Sequence, residues 1–178
     1  MRDLVFLDTE TTGLDPRRHE IIDIWARRVR ADTLELVAEA GGLVTPARIE
    51  DAEPRALEVN GFDPIRWHEE SVRWQLAWGS IKHLLEGAQF VGSNPAFDLR
   101  FIEEMNRRHG IPSQTTTRFA VDTASMAQPL RASGAIRSCS LGALCDHFGV
   151  EVEAPAHSAR GDVLRTIEVY RKLMEMWR

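Results

Sequence analysis

Three strand-like runs crowd into the first 44 residues, and they leave this chain few folds to adopt. Asp3–Asp8 (DLVFLD) is a short apolar run, the pattern of a buried strand. Glu20–Arg30 (EIIDIWARRVR) and Thr33–Val44 read as two further strands. Gly13, Pro16 and a short Ala31-Asp32 turn punctuate them, so the three are expected to form a meander. The pattern then changes. An irregular stretch is expected from Pro46 to His68, and a helix over Ser71–Leu85, where apolar residues recur at helical spacing. Ala88–Val91 reads as a fourth strand. Asn94-Pro95 opens a helix to about His109, with asparagine as cap and proline at the first helical position. Phe119–Asp122 reads as a fifth strand, Ser140 caps a helix that Gly149 ends, and Pro155 precedes a last helix to Trp177. Strands first, then strands and helices in alternation, predict an α/β sheet covered by helices.

Composition narrows the function classes. The 178 residues suit a single domain, 1–178, with a sizeable core. No apolar stretch is long enough to span a bilayer and no signal peptide is expected, so the reading is a cytoplasmic protein without a membrane partner. Cys139 and Cys145 lack metal-knuckle spacing and read as reduced thiols, although spacing alone leaves a disulfide open. The net charge of −5 argues against a general nucleic-acid coat protein. It leaves open an enzyme that handles one strand end, because two divalent cations would bring the charge to about −1.

Three fragments carry chemistry. Asp8-Thr9-Glu10 places two carboxylates on one face of a strand end, where they repel each other unless cations intervene. Asp98 falls in the first turn of the helix opened by Asn94-Pro95. His157 and Asp162 are five residues apart; within one helix they would diverge by about 140°. They face one site only if His157 lies in the loop after Pro155 and the helix starts near Ser158. Each fragment alone has a plain explanation: a solvated strand end, a helix dipole met by an acid, a surface histidine. Together they give four acids and one base at strand ends and helix starts. Hard oxygen donors of this kind select Mg²⁺ or Mn²⁺, two such ions can hold both oxygens of a phosphodiester displacement, and a neutral histidine suits a general base.

These segments resemble the DEDDh exonucleases, the family that includes the proofreading subunit of bacterial replicative DNA polymerase. The likeness rests on Phe6–Leu14 (FLDTETTGL), Asn94–Asp98 (NPAFD), His157–Asp162 (HSARGD) and, more loosely, Ser140–Cys145 (SLGALC). It implies an RNase H-like fold with a central five-stranded mixed sheet flanked by helices. It implies that Asp8, Glu10, Asp98 and Asp162 bind two Mg²⁺ or Mn²⁺ ions, with His157 as general base. Leu14 matches the position that wedges against terminal bases, and Thr11 and Phe97 match positions lining the terminal nucleotide. The sequence departs from the family pattern at Ser93 and Pro95, and at Asp23-Ile24-Trp25, where Trp25 puts bulk at a small position.

The expected function is a 3′→5′ exonuclease that releases nucleoside 5′-monophosphates from DNA 3′ ends, single-stranded or frayed. RNA ends, and a non-catalytic module that binds a strand end or a polymerase, are the alternatives. A DNA polymerase is the protein partner the resemblance brings with it. Asp122 is expected to act as a cap or a backbone acceptor, and Trp74 and Trp78, four apart on a helix, to pack in a core or dimer face rather than stack on bases. Arg107-Arg108-His109 is either a phosphate contact or a cationic helix end. Arg131–Ser138 is either a mobile loop near the site or a long connection.

Overall fold

The computed structural model describes residues 2–112, 120–155 and 157–176. The chain opens with strands β1 (Leu4–Thr11), β2 (Ile21–Val29) and β3 (Leu36–Leu43), paired antiparallel as the meander predicts. β1 runs past Asp8 because Glu10 and Thr11 continue the ladder opposite Asp23 and Ile21.

The stretch from Pro46 to His68 is not irregular throughout, contrary to expectation. A 3-10 turn at Ile49–Asp51 leads into short helices α1 (Pro54–Val59) and α2 (Pro64–Glu70). Each begins on a proline, and the Asp63 side chain accepts from the amides of Ile65 and Arg66. Helices of one or two turns show no hydrophobic period and are not stable alone. Tertiary contact holds α2 in place: Trp67 is buried and its indole N–H donates to the Ile22 carbonyl at 2.9 Å.

The rest of the chain alternates: α3 (Trp74–Leu85), β4 (Gln89–Gly92), α4 (Pro95–Arg108), β5 (Val121–Asp122), α5 (Thr123–Met126), α6 (Gln128–Ala132), α7 (Leu141–Phe148) and α8 (Ala159–Met176). Phe119 and Trp177, the expected limits of the fifth strand and the last helix, lie outside the described residues. Ser140 caps α7 by accepting from the Ala143 amide, and Gly149 ends it at φ 62°. Asn94 stands at the start of α4 but does not cap it. Its left-handed backbone, φ 60°, carries the side chain away from the amides it would serve. Asp122 acts as the cap instead, for α5, and also accepts from the Asn94 amide at 3.0 Å.

The five strands form one mixed sheet in the order β3-β2-β1-β4-β5, with β4 parallel to both β1 and β5. This is the RNase H-like arrangement, with β1 at the centre. Alternation along β1 divides the core. Val5 and Leu7 face α3 and α4, among Trp74, Trp78, Phe101 and Ile102. Leu4 and Phe6 face α8, against Val163 and Ile167. Full burial of such side chains contributes ~1.5–3 kcal/mol each. Trp74 and Trp78 are buried and stacked 5.7 Å apart, so they serve the core. No helix among the described residues is long and apolar enough to cross a membrane. Both cysteines are free thiols.

Candidate active site

The alternation that buries Leu4 and Phe6 against α8 sends Asp8 and Glu10 to the same face at the open end of β1. Thr9 points the other way and meets α4. Its hydroxyl donates to the Asp98 carboxylate at 2.7 Å, in the first turn of that helix. Parallel strands place such a crevice beyond their carboxyl ends, where neighbouring connections diverge. Here β1 turns back to β2 on one side, while the β4 connection enters α4 on the other.

His157 and Asp162 come from the segment that starts α8. The helix begins at Ala159, and His157 sits before it in a left-handed turn, φ 55°, as the helical arithmetic requires. Ligand atoms of Glu10, His157 and Asp162 all lie within 4.8 Å of one another. The imidazole is solvent-exposed, while the acids are half-buried or buried.

The electrostatics show what the cluster lacks. Burial, then the charges of Asp98, Asp162, Glu10 and Asp23, hold the Asp8 carboxyl well above its ordinary range. Burial, with Asp162, Asp23 and Asp98 adding to it, raises Glu10 to about 8. Burial raises Asp98 to about 7 against the pull of the Thr9 hydrogen bond. Asp162 is also raised by burial, although Arg165 and His157 draw it back. Such carboxylates share protons unless cations replace them. Converging oxygen donors beside an imidazole, with this shortage of positive charge, fit a hard divalent cation.

Asp23, which the sequence marked only as part of the Asp23-Ile24-Trp25 departure, joins this group. It is buried opposite Glu10 in the β1–β2 ladder, and its carboxylate accepts the Ala159 amide at 3.0 Å, pinning the start of α8 beside the site. Burial raises its pKa too. Only the strand register brings it opposite Glu10, so its spacing along the chain did not place it in the site.

Beside the acids lies a cavity of about 300 Å³ whose lining includes Glu10, Thr11, Leu14, Asn60 and Phe97. Leu14 is 74% exposed at its rim. Thr11 is buried and its hydroxyl is engaged, donating to the Gly13 carbonyl at 2.8 Å, so it shapes the loop carrying Leu14. A β-carbon on Gly13 would stand 2.5 Å from the His19 ring, which explains the glycine. Asn60 ties α1 to this wall through a 2.8 Å bond to the Thr11 carbonyl.

Other candidates resolve into supporting parts. Arg108 donates to the Pro16 and His19 carbonyls and pairs with Glu104 and Glu20, while Arg107 pairs with Glu104. The Arg131–Ser138 stretch completes α6 and then turns to bury Ile136, so it is an anchored connection. Trp25 is accommodated by its neighbour on β3: a β-carbon on Gly41 would stand 2.6 Å from the indole. The Arg160 guanidinium lies over the ring at 5.7 Å.

Comparison with known proteins agrees with this fold. The Exonuclease family model, RNase T type, matches residues 5–170. Ribonuclease T of Shewanella frigidimarina is 27% identical over 188 residues, covering 98% of this chain and 83% of that protein. A PolC-type DNA polymerase III of Thermotoga petrophila is 29% identical over 173 residues, which is 97% of this chain and 12% of the polymerase. Among solved structures, exonuclease I from Methylocaldum szegediense shares the fold at a TM-score of 0.82 and 24% identity, over 98% of this chain and 41% of that one. With its acids, its histidine and its sheet in the arrangement described, the chain belongs to the RNase T exonuclease family and is by class a 3′→5′ exonuclease, a phosphodiester hydrolase.

Proposed function

We propose that this enzyme removes nucleotides from the 3′ ends of single-stranded or frayed DNA and releases nucleoside 5′-monophosphates. The observation that carries the reading is the convergence of Glu10, His157 and Asp162 within 4.8 Å. The cavity bearing Leu14 and Phe97 lies alongside. Asp8, Glu10, Asp98 and Asp162 would hold two Mg²⁺ or Mn²⁺ ions. Bound there, the ions supply charge compensation for both oxygens of the displacement. The protein's own groups do the rest. His157 takes the proton of the attacking water at a ring nitrogen. An oxygen–phosphorus bond forms as the bond to the 3′ oxygen of the shortened strand breaks. Leu14 wedges against the terminal bases, Thr11 and Phe97 line the terminal nucleotide, and Thr9 keeps the Asp98 carboxylate aimed. Single-stranded DNA is bound by Escherichia coli exonuclease I, whose fold this chain shares.

RNA 3′ ends are the second reading, favoured by the similarity to ribonuclease T over nearly the whole chain. We further read residues 1–178 as one exonuclease domain. The similarity to part of a PolC-type polymerase supports a polymerase partner, and co-elution with a purified replicative polymerase tests it. The test of function is a panel of 5′-labelled single-stranded DNA, mismatched duplex and RNA, with chelator, Mg²⁺, Mn²⁺ or Zn²⁺. Shortening from the 3′ end with release of 5′-monophosphates is expected. Tight strand binding without turnover in any metal would mean a binding module instead.

A further inference from the structure

The loop carrying His157 is fastened from behind by α8. Arg165, one turn beyond Asp162, reaches back with its guanidinium. One arm donates to the Ala154 carbonyl at 2.8 Å. The other is shared between the Pro155 carbonyl and the Asp162 carboxylate, each at 3.1 Å. The same Pro155 carbonyl also accepts the Ser158 hydroxyl at 3.0 Å, and that hydroxyl accepts the Gly161 amide at 3.2 Å. The loop rests directly on the helix at Gly161. A β-carbon there would fall 2.2 Å from the Pro155 oxygen and 2.8 Å from the Arg165 guanidinium. Two residues after this carbonyl comes His157, held in its left-handed turn.

We propose that Arg165, with the slot left by Gly161, is a positioning residue for His157 in the reaction assigned above, and the proposal rests on that assignment. The guanidinium fork spans two loop carbonyls and the Asp162 carboxylate at once. It thereby fixes the spacing between the proton-accepting imidazole and an acid of the site. Lysine has a single compact ammonium without the planar two-nitrogen fork, so it does not reproduce this geometry.

The experiment is a mutant cycle in steady-state hydrolysis of a single-stranded DNA oligonucleotide with Mg²⁺. Arg165→Gln is expected to lower kcat roughly 10–100-fold, the usual scale for a residue that orients a ligand or base, with KM little changed. Arg165→Lys is expected not to restore it. In a His157→Ala background, Arg165→Gln should add little, because the group it positions is gone. Gly161→Ala guards against misfolding of the arginine variants. Alanine favours helix over glycine, so α8 persists while the loop is pushed away, and kcat should fall with helicity unchanged. Wild-type kcat in both Arg165→Gln and Gly161→Ala overturns the proposal. So does an Arg165→Gln loss that recurs in full without His157, since the arginine would then act through Asp162. An inactive wild-type enzyme would instead defeat the functional reading itself.

Discussion

Replacing Glu10 by Gln in the metal-free protein tests whether the acids are held together against their own repulsion. Burial, helped by Asp162, Asp23 and Asp98, lifts Glu10 from 4.5 to about 8. At ~1.4 kcal/mol per pKa unit, the full shift corresponds to about 5 kcal/mol against the charged form. Glu10 is half-buried, and solvent screening with proton sharing among its neighbours reduces this to ~2–3 kcal/mol. The folded-state value lies above the unfolded one, so the folded protein keeps a proton that the unfolded chain has lost. The stability Glu10 provides is complete at or below about pH 4.5 and is lost as pH rises through about 8. Glutamine has no charge to lose. In chelator, Glu10→Gln should therefore melt higher than wild type at about pH 9, by ~4–12 °C for a domain of this size, and close to it near pH 5. Adding Mn²⁺ should reverse the order. Wild type gains ~2.7 kcal/mol at a hundredfold excess over its Kd, while the variant, short of one ligand, gains less. Thermal unfolding followed by circular dichroism reads all of this. Equal melting temperatures in chelator at about pH 9, with parallel pH slopes, would refute the strained-cluster reasoning.

Other perturbations probe other links. Asp8→Ala should reduce Mg²⁺-dependent product release by at least ~10³-fold, and undiminished release would remove Asp8 from the metal ligands. Divalent-cation binding at about pH 7 should release protons from Glu10 and Asp98, seen by calorimetry in buffers of different ionisation enthalpy; no buffer dependence would contradict the raised values. Leu14→Ala should slow attack on paired 3′ ends more than on single strands and shift stability by less than ~0.5 kcal/mol, because the side chain is exposed. An equal effect on both substrates would take the wedge role from it. Trp74→Ala should cost ~3–5 kcal/mol in urea unfolding, since it empties a buried site and strips Asn106 of a 3.0 Å indole bond. A loss below ~1 kcal/mol would show that this core does not depend on the indole.

Several parts of the site could be read because local geometry fixes them. A strand's two-residue period puts Asp8 and Glu10 on one face whatever the strand's neighbours are. Helical pitch excludes His157 from α8, and the chain obeys, with the helix starting at Ala159. Serine and glycine bracket α7 by local chemistry alone, the one through its hydroxyl and the other through its left-handed backbone. Local rules also misled where tertiary contact outweighs them. Asn94 has a capping side chain in a capping position, yet its left-handed backbone leaves α4 without a side-chain cap, while Asp122 caps α5. Helices α1 and α2 are too short to show periodicity, and Trp67 holds the second through a carbonyl on β2.

What the sequence determined by itself was the candidate acids and histidine of the proposed site and the class of sheet, because both follow from spacing along the chain. Tertiary structure alone decided which groups meet. Asp98 enters from the opposite face of the sheet and is aimed by Thr9. Asp23 joins through strand register, opposite Glu10. Arg165 fastens the His157 loop by reaching back to carbonyls ten and eleven residues earlier. Trp25 fits because a glycine lies opposite it on β3. Each of these depends on contacts between segments distant in sequence or folded back on one another, and periodicity carries no information about such contacts.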